Sequence, residues 1–176
     1  RAYLEKIAPE LPFDFHLVVK STPSSMHSFY EVSRVLPAGK FILTTVDTIF
    51  REPDFSRYAH AFADAPADVD GMMAVTTFID DEKPLYVDAD PSTDMITAFR
   101  DAPTGTDRYI SGGIYGLTPK AIDVLAGCME QGISRMRNYQ RALLESGLRL
   151  KAYPFDKIVD VDHAADIRTA REFIAS

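Results

Sequence analysis

Two acidic residues stand where strand-like segments end, and their carboxylates could bind a metal ion. Asp47 follows the apolar run "FILTTV", and Asp162 follows "IVDV" near the end of the chain. In open α/β sheets, ligands bind outside the carboxyl ends of the parallel strands. Mg²⁺ takes one or two protein carboxylates and completes its shell with water and substrate phosphate oxygens. The two acids therefore predict a site for Mg²⁺ and a phosphate-bearing ligand, provided that they converge.

Each acid also has an ordinary structural interpretation. Asp47 could hydrogen-bond the local backbone where the strand ends. Asp162 precedes a predicted helix, where it would be a normal N-cap, with Asp166 near the positive end of that helix. A zinc site is not predicted, because the four histidines form no spaced cluster. They are His16, His27, His60 and His163.

The first half of the chain predicts alternating strands and helices. "RAYLEKIA" has helical spacing, "FHLVVK" (residues 15–20) predicts a short buried strand, and "SSMHSFYEVSRVL" predicts a helix. "KFILTTV" is rich in β-branched and aromatic residues, which predicts a strand that ends at Asp47, and Pro53 opens a further helix. This alternation is typical of a parallel sheet with crossover helices.

The second half predicts more strands and then helices. The strand-like segments are "GMMAVTTFI", "KPLYVDAD", "MITAFRDA" and "RYISGGIYGLT", and the break "DADPSTD" predicts a hairpin turn. Helices are expected after Thr118, the predicted N-cap, and from about residue 134 to 145 and 164 to 175. In the last helix, Ile167, Ala170 and Ile174 form the predicted buried stripe. One domain with a mixed sheet is expected over residues 1–176.

Composition limits the classes of partner. The 19 basic and 26 acidic residues give a net charge of −7, which leaves no broad cationic surface for nucleic acid or an anionic membrane. Cys128 is the only cysteine, so an intramolecular disulfide is impossible and a reduced, cytoplasmic setting is expected. A phosphate-bearing partner must be bound locally or through a cation. A homo-oligomer is left open.

The order of four segments resembles the nucleotidyltransferases that act on sugar phosphates. "FILTTVDTIF" is similar to the strand that carries a metal-binding aspartate in that family, and "IVDVDHAADIRTAREFI" is similar to its terminal segment with the second aspartate. "RYISGGIYGLTPKAIDVL" resembles the glycine-bearing strand beside the sugar phosphate, and "KPLYVDADPSTDMITAF" resembles the strand pair before it. The resemblance covers most of the chain. It implies a three-layer αβα, Rossmann-like fold of the GT-A type with a mixed, mostly parallel sheet.

The resemblance implies a reaction and a catalytic pair. Asp47 and Asp162 would hold Mg²⁺ against the phosphates of a nucleoside triphosphate, while Asp160 corresponds to a more variable acid of the family. A phosphate oxygen of a phosphorylated sugar, polyol or similar acceptor would attack the α-phosphorus and release pyrophosphate. Such a reaction needs positioning and charge neutralisation and no covalent nucleophile.

The resemblance also implies binding residues, and each has a structural alternative. Ser24 and Ser25 lie in the loop that contacts the nucleotide base in the family, although helix capping would also explain them. Gly112 and Gly113 would let a substrate approach the backbone, or they would simply form a tight strand or bulge. Arg100 would bind a substrate phosphate, or it would lie on the surface.

The chain departs from the family in one element. The family begins with a strand and a loop of the form G-x-G-x-R, which wraps the triphosphate and supplies cations. "PAGK" at residues 37–40 does not qualify, because it precedes a strand and the loop must follow one. We therefore expect a first strand and a phosphate-binding loop upstream of Arg1, and poor turnover by the 176 residues alone.

Two other functions remain open. A nucleotide-sugar-dependent glycosyltransferase of the related fold would also place an acid at a strand end, but usually as D-x-D. Here Asp47 is followed by Thr48 and Ile49. A nucleotide-sensing domain of the same fold, without catalysis, is the second alternative.

Overall fold

A mixed β-sheet is the central layer of the computed structural model, which describes residues 2–78, 83–105, 107–161, 163–164 and 166–175. The strands are β1 (Phe41–Thr44), β2 (Thr48–Ile49), β3 (Gly71–Thr76), β4 (Tyr86–Ala89), β5 (Ile96–Arg100), β6 (Tyr109–Leu117), β7 (Leu150–Phe155) and β8 (Val159–Asp160). The order in the main sheet is β5-β4-β6-β3-β7, and β1 pairs with the second half of β6. β3 and β7 are parallel, whereas every pair made by β6 is antiparallel.

Strand directions confirm the predicted mixed sheet, but the described pairs of the main sheet are mostly antiparallel where mostly parallel pairing was expected: β3–β7 is parallel and the other four pairs are antiparallel. β1, β3, β4 and β7 run one way, and β5 and β6 run the other way. β3 is buried along its whole length, as a strand covered on both faces must be, which explains its continuous run of apolar residues. The predicted hairpin is confirmed by the antiparallel pairing of β4 with β5.

Helices cover both faces of this sheet. They are α1 (Ala2–Ile7), α2 (Ser25–Ser33), α3 (Glu52–Ala63), α4 (Lys120–Glu130), α5 (Met136–Glu145) and α6 (Asp166–Ala175). Met73 and Val75 of β3 pack in one core with side chains of α2, α4 and α5, whereas Met72 and Ala74 pack with those of α3. Successive strand residues point to opposite faces, so this alternation confirms the three-layer αβα arrangement.

Two predicted features differ from the structure. Residues 15–20 form no strand, and Val19 is 63% exposed; an extended apolar segment becomes a strand only when its backbone pairs, and no described strand lies against it. α6 buries Ala170 and Phe173 against Val159, whereas Ile167 is 44% and Ile174 63% exposed. Its contact is a narrow i, i+3 stripe that packs against Val159 of β8 together with Ile49 of β2 and Phe78.

Candidate functional site

A small two-stranded sheet places Asp47 beside the last strand of the chain. Asp47 lies between β1 and β2, and β2 pairs antiparallel with β8 so that Thr48 faces Asp160. The pairing extends by one hydrogen bond, in which the Val161 N–H donates to the Asp47 carbonyl at 3.0 Å. Asp162, the second predicted ligand, lies outside the described residues. The two segments that carry the predicted acids are therefore paired with each other, and their described contact extends to Val161.

The side chain of Asp47 has an unusual environment. It is partly buried, and its Oδ1 atom is fully buried without a hydrogen-bond partner among the described residues. Leaving a buried acceptor unbonded costs about 1–3 kcal/mol, and more for a charged group. A turn-forming acid would accept bonds from local N–H groups, and Oδ1 accepts none from the described chain. Its chemistry suits a hard cation that prefers oxygen ligands.

Threonines and a glycine fix the turn that carries Asp47. The Thr45 N–H donates to the Gly113 carbonyl at 3.1 Å, and the hydroxyls of Thr45 and Thr48 are hydrogen-bonded to each other. Gly113 has a φ of +73°, and a Cβ added there would lie 2.4 Å from Thr48 Oγ1. Only glycine therefore allows β6 to approach this turn so closely.

Gly112 is also held tightly by the protein itself. A Cβ at this position would lie 2.3 Å from Cδ1 of Ile158, so the space is filled by a neighbouring side chain. This close packing explains both glycines structurally. Contact of their backbone with a substrate stays a prediction.

An open cavity of about 400 Å³ adjoins Asp47 and is here termed the Asp47 cavity. Its lining residues are Ser25, Ser28, Phe29, Val32, Leu43, Thr44, Thr45, Val46, Asp47 and Met136. The volume is within the range of small-molecule sites, and the mixture of an apolar wall with a few polar groups is typical of them. The structure thus brings Ser25 and Asp47 to one cavity.

Ser24 precedes Ser25 in the sequence but does not line the Asp47 cavity itself. Its hydroxyl is 2.8 Å from Nδ1 of His27, and it makes no capping hydrogen bond to α2 although it occupies the N-cap position. The capping explanation therefore does not account for the Ser24 side chain. Base contact by Ser24 and Ser25 stays a prediction.

A second, smaller cavity is lined in part by Gly112 of β6 and Asp160 of β8 and is termed the Gly112 cavity. It has a volume of about 30 Å³, enough for a few small atoms. Its lining residues are Thr76, Phe78, Ile110, Ser111, Gly112, Ile158 and Asp160. Neither this cavity nor the Asp47 cavity is lined by a lysine or arginine of the described chain.

The carboxylates of Asp160 and Asp47 both act on one buried tyrosine, Tyr115. Burial raises the pKa of Tyr115 to about 12, and the charges of Asp160 and Asp47 add to the effect against an opposing hydrogen bond with Ser111. No group of three or more metal-ligating side chains occurs in the described part of the chain. A dedicated protein cage is therefore absent there, whereas a cation shared with a ligand's oxygens needs only one or two carboxylates.

Arg100 is not brought to either cavity. Its Nε donates to Asp88 Oδ2 at 2.6 Å across the β4–β5 pair, and the Asp88 carboxylate raises the pKa of the guanidinium. The role of Arg100 in binding phosphate stays a prediction.

Some residues of the site could not be chosen from the sequence. Met136 reaches the Asp47 cavity from α5, and Phe78 reaches the Gly112 cavity from the end of β3. Thr45 and Thr48 flank Asp47 in "TTVDT". The threonines around this acid were the sequence feature from which their place in the site could have been predicted.

Solved structures identify the fold. No protein-family model matches the chain, and no curated protein matches its sequence. The inositol-1-phosphate CTP transferase from T. maritima superposes with a TM-score of 0.76 at 17% identity, over 100% of this chain and 75% of that one. A CMP:2-keto-3-deoxy-manno-octonic acid synthetase complexed with CTP gives 0.71 at 18% identity, over 99% and 78%.

A third structure agrees with these two. The nucleoside-diphosphate-sugar pyrophosphorylase from Vibrio cholerae RC9 gives a TM-score of 0.66 at 11% identity, over 97% of this chain and 75% of that one. The chain therefore has the fold of the sugar-phosphate nucleotidyltransferases.

No helix in the described residues is long and apolar enough to cross a membrane.

Proposed function

We propose that this chain carries the site of a nucleotidyltransferase, which moves a nucleoside monophosphate from a nucleoside triphosphate to a phosphorylated sugar, polyol or similar acceptor. The observation that carries the proposal is the buried Oδ1 of Asp47, which has no hydrogen-bond partner among the described residues and lies in a residue that lines a cavity of about 400 Å³. The fold supports the same reaction class, since the similar structures include a CTP transferase and a synthetase complexed with CTP.

In this proposal the nucleotide occupies the Asp47 cavity. The base and ribose lie against Phe29 and Met136, and the hydroxyl of Ser25 donates to a polar atom of the nucleotide. The phosphates extend toward Asp47. Ser24 is proposed to act indirectly, since its hydroxyl is bonded to His27.

The implied cofactor is Mg²⁺, for which Asp47 is a suitable ligand because no described residue forms a hydrogen bond with its Oδ1. Asp162 is proposed as the second ligand on the strength of the sequence alone. When bound, Mg²⁺ would neutralise phosphate charge. The protein then has to hold the acceptor in line with the α-phosphorus and to exclude competing water.

The proposed chemistry is a substitution at phosphorus. A new bond forms between the acceptor's phosphate oxygen and the α-phosphorus, and the bond from the α-phosphorus to the pyrophosphate oxygen breaks. The electron pair leaves with pyrophosphate. The attacking oxygen is already ionised at neutral pH, so no protein base has to remove a proton from it.

Binding and turnover test the proposal separately. We expect CTP or another nucleoside triphosphate to bind to the wild-type chain in a Mg²⁺-dependent way by isothermal titration calorimetry, and to bind weakly to Asp47→Asn. Asp64→Asn is the control, because Asp64 is an exposed residue at the end of α3. Equal binding by wild type and Asp47→Asn would contradict the proposed site.

A nucleotide-sensing domain is the second candidate, and one observation favours it. No lysine or arginine of the described chain lines either cavity. The negative charge that develops during phosphoryl transfer would therefore have no protein cation to stabilise it. A pyrophosphate-release assay with a panel of nucleotides and phosphorylated acceptors separates the two. Binding without release, even when upstream residues with a phosphate-binding loop are added, would favour the sensor.

A further inference from the structure

Arg135, the residue just before α5, has an unusual backbone conformation. Its φ is +73° and its ψ is 139°, in a region that residues with a side chain rarely occupy. Apart from glycines, only Asp94 and Arg135 have a positive φ among the described residues, at +58° and +73°. Aspartate tolerates a left-handed backbone because its short polar side chain can bond locally, whereas arginine has no such compensation. The backbone at Arg135 is therefore strained.

Backbone hydrogen bonds on both sides fix this conformation. The Ile133 N–H donates to the Cys128 carbonyl at 2.9 Å, which closes the end of α4. The Arg135 carbonyl accepts from the N–H groups of Asn138 and Tyr139 at 3.1 and 3.2 Å, which begins α5. Glycine would adopt the backbone of residue 135 without strain. An arginine in its place indicates that the side chain has a role that glycine cannot fill.

That role is not a contact within the described chain. The Arg135 side chain is exposed, and no described residue forms a hydrogen bond, an ion pair or a ring contact with it. Arg137 and Arg141 of the same helix are a matched comparison, since both are bonded to the carboxylate of Asp101, at 2.7 and 2.8 Å. These two arginines join α5 to the end of β5, whereas the guanidinium of Arg135 is available to a ligand.

The position of Arg135 connects it to the proposed nucleotide site. The next residue, Met136, lines the Asp47 cavity. Consecutive Cα atoms are about 3.8 Å apart, so the long side chain of Arg135 starts beside the wall of this cavity. In the proposed binding mode, Met136 and Phe29 contact the base and the ribose, whereas the phosphates extend toward Asp47. Arg135 is therefore next to the part of the wall that contacts the base.

We propose that Arg135 stacks its guanidinium on the base of the bound nucleotide and so covers the Asp47 cavity. This inference rests on the proposed function, because the base is that of the nucleoside triphosphate. A guanidinium is planar and weakly hydrated, and it stacks well on aromatic faces. Every nucleobase has such a face, so the contact adds affinity without selecting one base.

Two substitutions at position 135 separate the strain from the side chain. Arg135→Ala keeps a Cβ and therefore the strain, whereas Arg135→Gly removes it, and neither variant has a guanidinium. The glycine variant should therefore unfold at a higher urea concentration than the alanine variant. An equal or lower unfolding midpoint for Arg135→Gly would show that the position is unstrained and would overturn the inference.

Nucleotide affinity tests the contact with the base. By isothermal titration calorimetry with Mg²⁺, both variants should bind ATP and CTP about ten-fold more weakly than the wild type does. Inorganic tripolyphosphate, which has no base, should bind equally to the wild type and both variants. Unchanged affinity for ATP and CTP in Arg135→Gly would overturn the inference. An equal loss of tripolyphosphate affinity would also overturn it, because Arg135 would then act on the phosphates.

Asp94→Gly is the control for a change of backbone freedom. It replaces the other residue of positive φ that is not glycine, and Asp94 lines neither the Asp47 cavity nor the Gly112 cavity. Its affinity for ATP and CTP should equal that of the wild type. A loss as large as that of Arg135→Gly would overturn the inference, because the loss would not depend on the guanidinium.

Nuclear magnetic resonance of the arginine side chains detects the stacking directly. When ATP or CTP binds to the wild type, the Nε–H signal of Arg135 should move to higher field, because the ring current of the base acts on it. The signals of Arg137 and Arg141 should stay in place, since Asp101 holds both side chains. No movement of the Arg135 signal at saturating nucleotide would overturn the inference.

The failure of this inference is distinguishable from the failure of the proposed function. If nucleotides bind through Asp47 and the Arg135 variants bind them as tightly as the wild type, the inference alone is wrong. If no nucleoside triphosphate binds in an Asp47-dependent way, the proposed function is wrong and the inference is wrong with it.

Discussion

Two acids at opposite ends of the sheet, each with a buried carboxylate oxygen, have opposite environments. Asp70, just before β3, is 6% exposed; its Oδ1 accepts from Lys120 Nζ at 2.7 Å and its Oδ2 from the Arg149 N–H at 2.9 Å. Asp47, just after β1, has a buried Oδ1 that accepts no hydrogen bond from the described chain. An acid that serves the fold is saturated with donors, whereas an acid that serves a ligand keeps an oxygen available.

The Asp70 end is closed by the protein's own groups. The Thr118 N–H donates to the Asp70 carbonyl at 3.0 Å, and the Asp70 N–H donates to the Arg149 carbonyl at 2.8 Å. These bonds join the end of β6 to the beginnings of β3 and β7. At the Asp47 end, the corresponding space is a cavity of about 400 Å³.

The largest expected effect is on nucleotide binding. Asp47→Asn should weaken Mg²⁺-dependent binding of a nucleoside triphosphate by about a hundred-fold, since the ligand's cation loses a charged partner. The free energy of unfolding should change by less than about 1 kcal/mol, because Oδ1 of Asp47 makes no hydrogen bond with the described residues. Calorimetry and urea denaturation measure the two quantities.

The next largest effect is expected on stability, at Gly113, which packs against the turn that carries Asp47. Gly113→Ala should destabilise the chain by about 2 kcal/mol, because the new methyl group would lie 2.4 Å from Thr48 Oγ1 and the backbone has a φ of +73°. Gly132→Ala is the matched control, since Gly132 has a φ of +69° with no atom within 4 Å of the added Cβ. Equal losses of unfolding free energy in the two variants would refute the packing role of Gly113.

A smaller effect is expected at the closed end. Asp70→Asn should lower the free energy of unfolding by about 1–2 kcal/mol, because the charge-assisted bond from Lys120 is lost. Binding of Mg²⁺ and nucleotide should stay as in the wild type. A change in nucleotide affinity comparable to that of Asp47→Asn would erase the contrast between the two ends.

The smallest effect is a dependence on pH. Burial raises the pKa of Asp70, but the bonds from Lys120 and the Arg149 backbone outweigh burial and hold this pKa below its ordinary value. A lowered folded-state pKa contributes stability that is present above the unfolded pKa of about 3.9 and is lost as the pH falls through the folded value. The stability gap between wild type and Asp70→Asn should therefore be constant near neutral pH and narrow below about pH 4. If the difference in unfolding free energy between wild type and Asp70→Asn increased on acidification, the pKa of Asp70 would be raised in the folded state and not lowered.

Local patterns in the sequence predicted the elements better than their contacts. The strand that leads to Asp47 and the helix opened by Pro53 follow from side-chain type and spacing, and both are confirmed by β1 and α3. Thr118 was the predicted N-cap of α4, but its Oγ1 is buried without a hydrogen-bond partner among described residues and the helix begins at Lys120. A cap depends on side-chain direction, which spacing does not specify.

The site itself could be predicted only in part. Asp47 was identifiable because an acid interrupts an apolar run, and Ser25 because its loop resembles the loop that contacts the nucleotide base in the family. The hydrogen bonds to Asp70 were not identifiable, because they depend on residues brought together from distant parts of the chain. Local periodicity contains no information on such contacts.

Paramagnetic broadening by Mn²⁺ tests the central claim most directly, because Mn²⁺ shares the preference of Mg²⁺ for carboxylate and phosphate oxygens. With a nucleoside triphosphate present, Mn²⁺ should broaden the amide signals of Thr45, Thr48 and Val161 and spare those of Asp70 and Lys120. Asp47→Asn should abolish that broadening. Unchanged broadening in Asp47→Asn, or broadening centred on Asp70, would contradict the assignment of a cation site to Asp47.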